Sequence, residues 1–146
     1  MEGTRSYDYG LDGVLAPALT LAAVYIQMQR YPEAEVLCQS LIDDPTYASP
    51  WVPLTTRGWA EFKTAQFEEA RISYLEALEY RPGYELAHFN LGILEQQAGN
   101  LDAARTALQQ AITSGHPNAA PLAATNLGIL EREAGNLDAA RTAYQQ

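Results

Sequence analysis

NLGILEQQAGNLDAARTALQQ, residues 90–110, returns as residues 126–146 with three changes: Gln96 to Arg132, Gln97 to Glu133 and Leu108 to Tyr144. The copies stand 36 residues apart. A block repeated at that period is one supersecondary unit duplicated and stacked. Within it, Leu101, Ala104, Leu108, Ala111 and Ile112 recur at spacings of three and four, which is one face of a helix. Gly99-Asn100 and Gly135-Asn136 interrupt that pattern. Gly suits a helix stop and Asn the start of the next helix, so the block reads as two helices joined by a tight turn.

Two more divergent copies precede it. In residues 51–84, Gly58, Ala70 and Ala77 take the places of Gly92, Ala104 and Ala111, and Pro82 closes the unit. In residues 15–50, Ala22, Ala34 and Leu41 match, followed by Asp43-Asp44-Pro45. The expected plan is an N-terminal segment 1–14, repeats at 15–50, 51–84 and 85–120, and an incomplete repeat at 121–146. Helices are predicted near 14–29, 32–43, 50–64, 67–80, 84–98, 101–114, 119–134 and 137–146, eight in all. No strand is predicted. Gly58, Gly92 and Gly128 fall in mid-helix, where Gly costs about 1 kcal/mol relative to Ala. Their recurrence at one phase predicts close helix approach, with Ala34, Ala70, Ala104 and Ala140 as the small residues opposite.

Composition narrows the function. A chain that is 47% hydrophobic is not disordered. A net charge of −9, with nine scattered basic residues, offers no stripe to displace phosphate counterions, so nucleic acid is not an expected partner. Cys38 is the single cysteine, which excludes an internal disulfide and reads as a small core residue. The apolar stretch from Val14 to Ile26 is too short to span a bilayer, and the acidic residues 1–13 lack the charge of a signal peptide. The expected location is soluble, cytoplasmic by default.

These residues resemble the tetratricopeptide repeat, whose pattern places Gly, then an aromatic, Ala and Pro at fixed intervals. Gly58, Phe67, Ala70, Tyr74, Ala77 and Pro82 carry it in one unit, and Leu91, Gly92, Gly99, Leu101, Ala104, Leu108 and Ala111 in the next. Leu54 and His88 stand where the family often has Trp, and Glu61, Glu95 and Glu131 where it has Tyr. The resemblance implies an all-α, right-handed superhelical solenoid of antiparallel helix pairs, about three and a half to four repeats long. Asp44-Pro-Thr-Tyr-Ala-Ser-Pro-Trp51, Gly58 to Phe62 and Ala87 to Gly92 further resemble the tetratricopeptide lipoproteins of bacterial type IV pilus assembly, which would imply a periplasmic location. Those proteins begin with a lipidated Cys that this chain lacks. Eight Arg to one Lys, in Ala-rich helices, suggest a GC-rich bacterial source.

The resemblance also implies a ligand groove lined by the first helix of each repeat. Its positions here are Leu19, Ala23 and Ile26, then Val52, Thr55, Trp59, Phe62 and Lys63. Phe89, Ile93, Gln96 and Gln97 follow, then Thr125, Ile129, Arg132 and Glu133. Trp59, Phe62 and Phe89 are large for solvent-facing sites, and exposed apolar clusters mark binding surfaces. Asn90 and Asn126 match part of a carboxylate clamp used by some family members, but Thr55, Phe89 and Thr125 stand where its Lys would be useful.

His88 and His116 lack partners at metal-ligand spacing. Neither a nucleophile elbow nor a phosphate loop is present, so no catalysis, metal or cofactor is expected. The leading expectation is a protein-interaction scaffold that holds a peptide or helical segment. The alternative is self-assembly through an open face of Leu137, Ala140, Ala143 and Tyr144, where the last repeat breaks off.

Overall fold

A computed structural model describes residues 18–145. Segment 1–14, the first turn of the predicted helix at 14–29 and the side chain of Ala140 lie outside the described residues. All regular structure there is helical: α1 (18–27), α2 Tyr31–Ile42, α3 Trp51–Lys63, α4 Phe67–Tyr80, α5 Glu85–Ala98, α6 Leu101–Thr113 and α7 Ala119–Gln145. The chain divides into two compact units, residues 1–82 and 83–146.

In the first unit α2 packs on α3 and α3 on α4. Ala22, Ala34 and Cys38 are fully buried together, with Tyr25, Ile26, Leu37 and Ile42 around them. Burial pushes the Cys38 thiol up to about 12, so it stays protonated and inert, a core residue as expected. In the second unit α6 packs against both α5 and α7, and α5 also touches α7. Ala104, Leu108, Ala111, Ala123 and Leu130 form its core.

Three of the turns between paired helices share one geometry. Gln29, Ala65 and Gly99 occupy the left-handed region at φ 61°, 64° and 85°. The next residue then donates its N–H back to a carbonyl five residues earlier: Arg30 to Tyr25 (2.7 Å), Gln66 to Glu61 (2.8 Å) and Asn100 to Glu95 (2.9 Å). This is a Schellman stop, which satisfies carbonyls the helix would otherwise orphan. The second helix then begins at once, with Ala34, Ala70 and Ala104 donating to Arg30, Gln66 and Asn100. Asn100 starts α6 without the expected side-chain cap; its Nδ2 instead donates to Glu95 Oε1 at 2.8 Å.

Two expectations are corrected. The predicted helices 119–134 and 137–146 are one helix, α7, running unbroken through Gly135-Asn136, so the described residues hold seven helices rather than eight. The same dipeptide breaks the chain at Gly99-Asn100, where α6 is held between α5 and α7. Continuing through Gly135-Asn136 keeps the backbone hydrogen bonds within one helix.

The second correction concerns what the mid-helix glycines face. A Cβ on Gly58 would lie 2.6 Å from Tyr74 Cε1, and one on Gly92 2.7 Å from Leu108 Cδ2. Small does not face small. Each glycine is a socket for a large side chain sixteen residues on, and Tyr74 and Leu108 are completely buried there. Gly128 departs from both, with nothing within 4 Å of its Cβ position.

Candidate functional site

The groove positions fall into two groups, one on each compact unit. On α3, Trp59 is half-buried and Lys63 exposed, while Phe62 is almost fully buried. Trp59 stacks on Phe62 with ring centroids 5.4 Å apart, Phe62 leans on Phe67 at 5.7 Å, and Lys63 Nζ lies 5.6 Å from the centre of the Trp59 ring. Phe62 therefore supports Trp59 from beneath and offers little surface itself. Thr55 is buried and donates its hydroxyl to the Trp51 carbonyl at 2.8 Å. Val52 is half-buried; on α1, Leu19 and Ile26 are half-buried and Ala23 is exposed.

The second group is more concentrated. Phe89, Ile93 and Gln96 are half-buried along α5, and Gln97 is exposed. Asn126 and Ile129 are half-buried along α7, whereas Thr125, Arg132 and Glu133 are exposed. Asn90 is buried, so it belongs to the helix packing more than to the open face. At one end Gln96 Nε2 donates to Glu133 Oε1 at 3.5 Å, which ties together two of the positions that distinguish or neighbour the changes between the copied blocks.

At the other end α5 and α7 enclose a cleft of about 320 Å³. Leu86, Phe89, Ala119 and Leu122 make its apolar wall, and Glu85 and His116 its polar edge. His116 Nε2 stands 3.5 Å from Glu85 Oε1. Its Nδ1 accepts from the N–H groups of Asn118 (3.2 Å) and Ala119 (3.4 Å), so the imidazole caps the start of α7. That ring holds the cleft's rim in place. Phe89 reaches from the wall into the core around Leu108 and Leu130.

The sequence reading missed Leu86 and Leu122, which line the cleft and remain 42% and 55% exposed. The signal was available: Val52, Leu86 and Leu122 recur 34 and 36 residues apart, the spacing of the repeats themselves.

The acidic residues at the Tyr positions of the pattern serve packing. Ser73 donates to Glu61 Oε1 at 2.6 Å within the α3–α4 pair. Arg57 joins three helices, reaching Gln39 Oε1 (2.7 Å), Ser73 Oγ (3.0 Å) and Glu76 Oε1 (3.3 Å). Burial raises the Glu61 pKa above the usual carboxylate range, against the Ser73 hydrogen bond and the Arg57 charge. Glu131 accepts a two-pronged pair from Arg105 at 2.7 and 2.8 Å, which lowers its pKa and links α6 to α7. Among the described residues no three His, Cys, Asp or Glu side chains gather as metal ligands, and no helix is long and apolar enough to cross a membrane.

The tetratricopeptide repeat matches residues 55–120 and again 91–146. No curated protein matches the sequence. Among solved structures, the type III secretion translocator chaperone SycD of Yersinia enterocolitica is similar at TM-score 0.72 and 18% identity, over 85% of this chain and 88% of that one. PcrH, a Pseudomonas aeruginosa protein solved with the chaperone binding region of PopD, aligns at TM-score 0.72 and 18% identity over 84% and 94%. PilW, a type IV pilus biogenesis factor, aligns at TM-score 0.64 and 18% identity over 77% of this chain and 60% of its own. At these identities the likeness is one of fold.

Proposed function

Because the chain belongs to the tetratricopeptide repeat family, we propose that it is a non-catalytic interaction scaffold, with repeats at 15–50, 51–84, 85–120 and 121–146, that grips a peptide or helical segment of another protein. The observation that carries this reading is the α5–α7 cleft. It has an apolar wall with two exposed leucines, a polar edge, and a volume suited to one or two apolar side chains. Leu86, Phe89 and Leu122 anchor the ligand, and Ile93, Gln96, Gln97, Asn126, Ile129 and Arg132 extend the surface along the same two helices, with buried Asn90 behind them. Trp59 and Lys63, with Phe62 beneath, form a second aromatic contact on α3. PcrH, which shares the fold, was solved with a segment of a partner protein, and this supports a peptide ligand here. The net charge of −9 favours a basic or neutral segment over an acidic one.

The test is selection of a random peptide library on the immobilised 146-residue chain. Enriched peptides should carry a large apolar anchor, and Leu86→Glu with Leu122→Glu should remove binding while leaving the circular dichroism spectrum unchanged. Peptides that bind the double variant as well as the parent would defeat this assignment of the site.

A further inference from the structure

Among the described residues, the longest linker between consecutive helices is 43–50, from α2 to α3; residues 81–84 suffice between α4 and α5. Its Asp44, Pro45, Tyr47 and Pro50 join Trp51, at the start of α3, and Tyr80, at the end of α4, around a cavity of about 320 Å³. That cavity lies within residues 1–82 and shares no residue with the α5–α7 cleft. Pro45 and Pro50 fix φ and stiffen the linker at two points. Asp44 Oδ1 accepts from the Thr46 N–H (2.9 Å) and hydroxyl (2.6 Å), and the Tyr47 N–H donates to the Asp44 carbonyl at 3.1 Å. The three rings grade from buried to open: Tyr47 is 8% exposed, Trp51 half-buried and Tyr80 61% exposed.

Aromatic rings beside a carboxylate suit a cation, because the face of a ring attracts ammonium and guanidinium groups. The Trp51 ring already holds one: the Arg81 guanidinium carbon stands 5.6 Å from its centre, and Arg81 is not a wall of the cavity. Asp44 supplies the opposite charge. The Thr46 hydroxyl and N–H hold its carboxyl below the usual carboxylate range, so it is ionised at neutral pH. Both bonds fall on Oδ1, and Oδ2 takes part in neither. An uncharged ligand in the cavity would strip water from that carboxylate without compensation, whereas a cation compensates it. The net charge of −9 also draws basic segments toward the molecule. We propose that this cavity receives a lysine or arginine side chain of a partner protein, with its alkyl stem against the prolines and its cationic head against Asp44, Trp51 and Tyr80. The assignment does not depend on the α5–α7 cleft.

Titration of the isotope-labelled full chain with N-acetyl-lysine methylamide and with its arginine counterpart, followed by amide and indole NMR resonances, tests it. N-acetyl-norleucine methylamide is the uncharged control, and tetramethylammonium represents a free small cation. The basic probes should saturably shift the Trp51 indole and the amides of Asp44 to Ala48, and added salt should weaken them. The norleucine probe should bind about fivefold or more weakly. Asp44→Asn can still accept from Thr46, so its melting temperature should match the parent's, while affinity for the basic probes should fall about fivefold or more. Tyr80→Leu should act in the same direction, and Leu86→Glu with Leu122→Glu should change nothing here. Equal binding of the norleucine probe, affinity unmoved by Asp44→Asn, or no shift with either basic probe overturns the proposal. So does a response to tetramethylammonium alone, which would make the ligand a free small cation.

Discussion

At the scale of single residues, the glycine sockets and the left-handed turns make opposite demands. Gly58→Ala places a methyl group against the rigid ring of Tyr74, so urea unfolding should show a loss of about 1–3 kcal/mol. Gly92→Ala should cost a similar amount, because the added methyl meets Leu108 Cγ at 2.8 Å as well as Cδ2 at 2.7 Å in a completely buried side chain. At Ala65, φ 64° strains a side chain that Gly would relieve, and Ala65→Gly should stabilise the chain by about 1 kcal/mol in the same assay. Glu61 and Glu131 differ in sign. The raised pKa of Glu61 means that its contribution is fully present below the unfolded pKa and is lost as pH rises through the folded one. The lowered pKa of Glu131 gives a contribution present above the unfolded pKa and lost as pH falls through the folded one. Glu61→Gln can still accept from Ser73 without burying charge. Its melting temperature should exceed the parent's at neutral pH, and the gap should close on acidification.

At the scale of elements, helix positions were legible because periodicity and stop signals agree. The boundaries of α2 to α6 fall within two residues of those expected, and Gly99 stops its helix as predicted. What misled was treating a stop signal as sufficient. Ala98 to Leu101 and Ala134 to Leu137 are the same tetrapeptide, and only the first turns back. The tetrapeptides are identical, so the difference lies outside them, where no local window reaches. Hydrogen exchange in dilute solution should report it: the amides of Leu137 and Asp138 should be protected within α7, whereas those of Leu101 and Asp102, in a first turn without intrahelical partners, should exchange quickly. The glycine sockets were misread for a related reason. Recurrence identified close packing, but the register of facing helices decides whether Ala or a residue four further on occupies the gap.

At the scale of the whole molecule, the site was partly legible. The resemblance pointed to the first helix of each repeat, where the α5–α7 cleft proposed as the site also lies, yet it gave weight to Phe62, whose aromatic neighbours bury it, and passed over Leu86 and Leu122, which composition makes ordinary and only their exposure makes notable. The division into two units also predicts how the chain unfolds. Trp51 and Trp59 both belong to residues 1–82, whereas helices populate both units. Tryptophan fluorescence should therefore follow one unit and circular dichroism both, and their denaturant midpoints should differ; coincident curves would show a single cooperative block. The continuity of α7 finally sets a length. At about 1.5 Å per residue its 27 residues make a rod of about 40 Å, and the sixteen from Gly128 to Tyr144 span about 24 Å. A pair of spin labels across that interval is a molecular ruler: the hairpin sister of this segment closes the same interval to side-chain contact, so one distance measurement distinguishes rod from hairpin in any single copy.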